Sequence, residues 1–89
     1  MEDQIAEAMV QRLPKIKTHL VRPFLVECEE LDTWVVARSC ATALCISLET
    51  ERFGVGFLSH DDIQLDDVDF FPSAELAVQS FEWALARST

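Results

Sequence analysis

The sequence predicts a small α+β domain with an N-terminal helix, an antiparallel sheet of three to four strands, and a C-terminal helix packed on one face. Apolar residues recur at helical spacing near both ends of the chain, and between them they alternate at strand spacing. The 89 residues, 49% of them hydrophobic, suit one domain spanning 1–89. Two helices covering one face of a strand meander is the layered arrangement that we expect.

The first helix is predicted from residue 2 to about residue 13, because Ile5, Met9 and Leu13 form an apolar stripe. Pro14 disrupts a regular helix, since proline lacks a backbone N–H and its ring clashes with the preceding turn. A kinked helical continuation beyond Pro14 is the alternative.

Four segments between residues 21 and 58 have strand character. Phe24, Val26 and Cys28 alternate with residues of the other face, and the next two segments are 33–39, rich in β-branched residues, and 43–49. A short turn then leads into the last of the four, 52–58. In that strand Gly54 and Gly56 share one face, where missing side chains permit a bulge or the close approach of another element.

An acidic segment follows, with no lysine or arginine from Ser59 to Phe71 and five aspartates: Asp61, Asp62, Asp66, Asp67 and Asp69. Phe70 and Phe71 end it. We expect a connection between the last strand and the C-terminal helix. The sequence leaves open whether this connection only carries apolar residues into the core or is also a docking surface.

The C-terminal helix is predicted to begin after Ser73, which suits the N-cap position, and to run to about Arg87. Ala77, Val78 and Phe81 belong to its apolar face. A cation at the last turn interacts favourably with the helix dipole.

The formal charge is −9, from sixteen acidic and seven basic residues. Binding to nucleic acid or to an anionic membrane draws on lysine and arginine, so we expect neither partner. A basic protein partner is compatible with this charge. Four of the seven cations lie close together in the sequence, and we expect them to balance acidic residues across the fold: Arg12, Lys15, Lys17 and Arg22.

The cysteines indicate a reducing compartment. Cys28, Cys40 and Cys45 cannot all pair within one chain, and the spacing of the last two is not that of a C-x-x-C motif. The chain begins with acidic residues rather than a secretory leader, and it has no apolar run long enough to cross a bilayer. We therefore expect a cytoplasmic protein.

No residue pattern predicts catalysis, a cofactor or a metal. The aspartates lack the spacing and the glycine of a calcium loop. His60 has no nucleophile motif near it, and His19 lies among basic residues, so both are interpreted as surface histidines. We expect a protein that is not an enzyme.

Two hypotheses of function follow. The first is a protein-binding module, a small acidic inhibitor or immunity-type antagonist, whose five aspartates engage a basic protein with Phe70 or Phe71 as an apolar anchor. The alternative is a small-ligand-binding domain, with a homodimer as its expected state and an aromatic pocket between sheet and helices lined by Trp34, Phe53, Phe57 and Trp83. A cavity beside those four aromatics would favour the alternative, whereas a packed core with an exposed acidic face would favour the first.

Overall fold

The computed structural model describes residues 2–12, 14–28, 31–47 and 49–87. The strands form one antiparallel sheet in the order β1-β2-β3-β4-β5, so that each strand pairs with the next along the chain. The elements in chain order are α1 (Glu2–Gln11), a 3-10 helix (Pro14–His19), β1 (Leu20–Cys28), β2 (Leu31–Ser39), β3 (Thr42–Ser47), β4 (Arg52–Leu58), β5 (Leu65–Phe71) and α2 (Ala74–Arg87).

The predicted α+β layout is confirmed, and the sheet has five strands rather than three or four. The four predicted strand segments correspond to β1 through β4. Pro14 opens the 3-10 helix, where a missing N–H costs nothing because the first N–H groups of a helix have no internal partner. Leu13, the predicted end of the first helix, lies outside the described residues.

The fifth strand lies where the sequence predicted a connection. Aspartate is depleted in strands, and β5 contains three of them. Its alternation is also broken by a β-bulge, because Asp67 and Val68 together face the single residue Gly56 of β4. Asp67 takes up this extra residue with a left-handed backbone (φ 52°), a conformation that aspartate tolerates better than most residues. Leu65 and Val68 therefore share one face although they are three residues apart.

The sheet has a buried cluster on each face. One cluster, the helix-covered cluster, joins α1 and α2 to one face of the sheet, and it includes Met9, Leu44, Ile46, Val78 and Phe81. The other, the strand-only cluster, contains residues of the strands alone: Val26, Cys28, Val35, Ala43, Cys45, Leu58 and Leu65. The strand-only cluster is buried because the sheet curls over it.

The curl brings the two outer strands together at one point. The N–H of Glu27 at the end of β1 donates to the carbonyl of Ile63 at 2.8 Å, and Glu27 forms a parallel bridge with Gln64 just before β5. The two glycines of β4 permit this shape, because a Cβ on Gly56 would lie 2.6 Å from Cγ2 of Val68. The predicted close approach of another element to these glycines is confirmed, and the bulge lies in β5, opposite Gly56.

The C-terminal helix starts and ends as predicted. The N–H of Leu76 donates to Ser73 Oγ at 3.3 Å, which confirms Ser73 as the N-cap. At the other end, the guanidinium of Arg87 lies 4.8 Å from the ring centre of Trp83. No described helix is long and apolar enough to cross a membrane.

Candidate protein-binding site

The five aspartates are all exposed, and we call them together the acidic edge: Asp61, Asp62, Asp66, Asp67 and Asp69. The first two lie in the loop between β4 and β5, and the other three lie on β5 itself. Because β5 is the last strand of the sheet, these three carboxylates follow an open sheet edge. A strand therefore positions three of the five charges for which the sequence predicted a connection.

Ser59 organises the loop part of the acidic edge. Its hydroxyl donates to Asp61 Oδ1 at 2.6 Å and accepts from the N–H of Gln64 at 3.1 Å. Its carbonyl also accepts from the N–H of Asp62 at 3.0 Å, which closes a tight turn. The hydrogen bond from Ser59 is the main cause that lowers the pKa of Asp61, since it stabilises the charged carboxylate.

One salt bridge connects the loop to β2. Arg38 Nη1 lies 3.0 Å from Asp62 Oδ1, and its Nη2 donates to the carbonyl of Cys40 at 3.2 Å. The two side chains of the pair are 32% and 47% exposed, so the contribution of this pair to stability is small. The salt bridge holds Asp62 beside β2, and it partly neutralises that end of the acidic edge.

The β5 carboxylates have no such compensation. Across 2–12, 14–28, 31–47 and 49–87, no hydrogen bond or ion pair engages the side chains of Asp66, Asp67 or Asp69. The strand register sets Asp66 opposite Phe57 and Asp69 opposite Val55, which directs both toward the same face of the sheet. The acidic edge thus carries three exposed negative charges that are free to pair with another molecule.

Phe70 and Phe71, the predicted anchors, are both half-buried. Phe70 packs against the strand-only cluster and Phe71 against the helix-covered cluster, so they lie on opposite faces of the sheet. The exposed apolar groups next to the aspartates are Phe57 (53% exposed), directly opposite Asp66, and Ile63 (59% exposed) in the loop. Phe57 is a neighbour of the acidic edge because β4 pairs with β5, and the sequence did not predict β5 as a strand.

The four aromatics of the predicted ligand pocket belong to β2, β4 and α2. Phe53 packs against the helix-covered cluster, Trp34 is half-buried on β2, and Phe57 and Trp83 are more than half exposed. A cleft of about 490 Å³ lies elsewhere, between α1, the 3-10 helix and β1. None of the four aromatics lines that cleft.

Two of the three cysteines are packed inside the protein. Cys28 and Cys45 are buried in the strand-only cluster, and Cys40 is exposed in the turn after β2. Burial, together with the nearby Cys28, raises the pKa of the Cys45 thiol to about 12. Among the residues that the structure describes, no three histidine, cysteine or acidic side chains are grouped so as to hold a metal ion.

Comparison with other proteins gives no match: no family model fits the chain, and no similar protein was found among the curated proteins or the solved structures. The function of the protein is therefore inferred from the geometry of the acidic edge.

A pH titration tests the loop geometry. Replacing Ser59 with alanine removes the donor at 2.6 Å, so we expect the pKa of Asp61 to rise toward the ordinary aspartate value. Because the folded pKa is lowered, the stabilisation by this group is present above the unfolded pKa and is lost as the pH falls through the folded pKa. Carboxyl NMR shifts of Asp61 measure the change, and Ser73→Ala is the matched control. An equal pKa in wild type and Ser59→Ala would contradict this assignment.

Proposed function

We propose that the protein is a non-enzymatic binding module that uses the acidic edge to engage a basic protein, in the manner of a small inhibitor or an immunity-type antagonist. The observation that most supports it is the row of unpaired aspartates on β5, at an open edge of the sheet. A row of exposed like charges in a small domain gains stability when a partner supplies the opposite charge.

The charges of the acidic edge favour fast and selective encounter. All five carboxylates belong to one short segment, and Arg38 is the cation that an ion pair places beside them. At physiological ionic strength, fields extend over about 8 Å, so neighbouring carboxylates on one strand act together on an approaching lysine or arginine. A basic partner is attracted by this surface, whereas acidic proteins and phosphate backbones are repelled.

The open edge adds a backbone component to the proposal. Beyond the bridge at Gln64, no described strand is hydrogen-bonded to the outer side of β5. An extended basic segment can pair with such an edge through its main chain while its side chains meet Asp66 and Asp69. Two copies of β5 would bring their own aspartates together, so the expected homodimer would need a different surface.

Phe57 and Ile63 supply the apolar contact in this proposal. Binding energy in protein interfaces is concentrated in a few side chains that become fully desolvated. Both residues are more than half exposed, and Phe57 lies directly opposite Asp66. The proposed surface thus consists of an aromatic and an aliphatic anchor beside the carboxylates of the acidic edge.

Neutralising β5 tests the proposal. We expect the triple variant Asp66→Asn, Asp67→Asn, Asp69→Asn to associate with a basic partner roughly tenfold more slowly and with weaker salt dependence. The partner is first captured on immobilised protein at low salt and released at high salt. Association and dissociation rates are then measured by surface plasmon resonance with the purified partner.

The matched control removes the same charge elsewhere. Glu7, Glu49 and Glu51 are exposed and lie outside β5 and the loop before it, so their conversion to glutamine changes the net charge equally. We expect this control to bind almost as the wild type does. Equal rates in the wild type and in the β5 variant, or equal losses in both variants, would refute docking at the acidic edge.

A further inference from the structure

The cleft between α1, the 3-10 helix and β1 results from a shift in strand register. Leu20 of β1 pairs with Ala37 of β2 and Phe24 pairs with Val35, so the three residues between them on β1 face only Val36. Pro23, which has no N–H to offer the ladder, belongs to this displaced segment. The strand therefore separates from β2 here, and the space of about 490 Å³ that it leaves is bounded by α1 on the other side.

The lining of the cleft is apolar at its base and cationic at its rim. Ala6, Val10 and Val36 are each less than 6% exposed and form the deeper part. Lys17 and Arg22 are exposed, and within the described part of the chain neither forms an ion pair. Among the lining residues that the structure describes, Glu7 is the one carboxylate, so this part of the lining carries a net charge of +1, from two cations and one anion.

This local charge is opposite to that of the molecule. The chain carries −9, yet the cleft lies within the basic part of the sequence, far along the chain from the acidic edge. By contrast, two cations outside the cleft have described partners: Arg38 pairs with Asp62, and Arg87 lies over the ring of Trp83. The cleft therefore combines a volume suited to a small ligand with an apolar wall and two available cations.

We infer that this cleft binds a small amphipathic monocarboxylate, with its aliphatic body against Ala6, Val10 and Val36 and its carboxylate at Lys17 and Arg22. Burial of the aliphatic body supplies the affinity, at about 25 cal/mol for each Å² of apolar surface removed from water. A single negative charge is favoured over a phosphate dianion, because Glu7 and the strongly negative molecule oppose a second charge. This site is independent of the acidic edge.

Three probes with the same eight-carbon chain test the inference: octanoate, octan-1-ol and octylammonium. Amide NMR spectra of the whole chain are recorded during titration with each probe. We expect saturable shifts at Val10, Val21 and Val36, with octanoate bound roughly two- to thirtyfold more tightly than octan-1-ol, the range for two exposed charge pairs. Octylammonium is expected to bind most weakly, although attraction to the net negative charge alone would favour it.

Charge variants locate the headgroup. The double variant Lys17→Gln, Arg22→Gln should lose the preference for octanoate over octan-1-ol, whereas Arg52→Gln, an exposed cation on β4, should keep it. Octylammonium binding as tightly as octanoate, shifts confined to residues outside the cleft, or a preference that survives in the double variant would overturn the inference. Amide NMR signals of cleft residues that shift with protein concentration in the absence of any probe would also overturn the inference, since a second copy of the chain would then occupy the cleft.

Discussion

Replacing Phe81 with alanine is expected to lower the free energy of unfolding by about 3–5 kcal/mol. Phe81 is the largest side chain that the structure buries completely, and it lies at the middle of α2. Its ring meets the ring of His19 edge-on, with the centroids 6.0 Å apart. Phe81 therefore joins the C-terminal helix to the residue that leads into β1.

The expected loss is a large fraction of the total. Domains of this size are stabilised by about 5–15 kcal/mol, so a cavity at Phe81 brings the protein near the limit of folding. Urea denaturation followed by circular dichroism measures the change. If the slope of the free energy of unfolding against urea concentration is the same as in the wild type, the two-state comparison is valid.

Trp83→Ala is the matched control, because it removes an even larger ring two residues further along the same helix. Trp83 is 65% exposed, and its described interaction is with the guanidinium of Arg87. We expect the free energy of unfolding to fall by less than about 1 kcal/mol, the range for an exposed cation–π contact. Equal losses for the two variants would contradict the placement of α2 on the sheet.

The helices and four strands could be predicted because their local signals agree with their burial. Leu44 and Ile46 alternate with Ala43 and Cys45, and the structure assigns the two pairs to the two opposite clusters. Ser73 predicts the start of α2 because a hydroxyl that can accept from the first free N–H groups is a local feature of the sequence. Such signals need no knowledge of distant contacts.

The fifth strand could not be predicted, because its stability comes from pairing rather than from its own residues. Three aspartates lower its strand propensity, and the bulge at Asp67 breaks the alternation by one residue. Pairing with β4 and burial of Leu65 in the strand-only cluster outweigh these local preferences. The sequence thus located the charges correctly but not the element that displays them.

Dependence on distant contacts also limited the prediction of the binding sites from the sequence. Exposure of the five aspartates follows from their chemistry, whereas the inward packing of Phe70 and Phe71 depends on which faces of β5 are covered. The cleft depends on a register shift in β1. Within the shifted segment, Pro23 is the residue whose chemistry indicates an interrupted ladder. Sequence alone therefore indicated the acidic segment and the group of cations, but it gave no sign of the cleft that Lys17 and Arg22 line.

Replacing Gly56 with alanine is expected to destabilise the protein by about 1–3 kcal/mol, the usual cost of overpacking a core. A Cβ at this position would lie 2.6 Å from Val68 Cγ2 and 3.1 Å from the carbonyl oxygen of Asp66. The second contact is with backbone, which cannot move without disturbing the bulge of β5. The backbone at Gly56 is not left-handed, so strain in φ makes no contribution to the expected cost.

Gly54→Ala is the matched control on the same strand and face. The three atoms nearest to its Cβ would be side-chain atoms of Val68, Cys45 and Phe70, at 3.0–3.1 Å. Small shifts of those side chains relieve the contacts, and alanine also reduces the conformational entropy of the unfolded chain, which stabilises by about 0.4–1 kcal/mol. We therefore expect a net change close to zero at Gly54.

A double-mutant cycle with Val68→Ala separates the side-chain contact from the backbone contact at Gly56. Removing Cγ2 eliminates the contact at 2.6 Å but leaves the Asp66 oxygen in place, so Gly56→Ala should cost less in the Val68→Ala background and still destabilise. Urea denaturation of the four proteins gives the coupling energy. Zero coupling would mean that Val68 does not cross over Gly56, and the curl of the sheet that brings the end of β1 to the start of β5 would then need another cause.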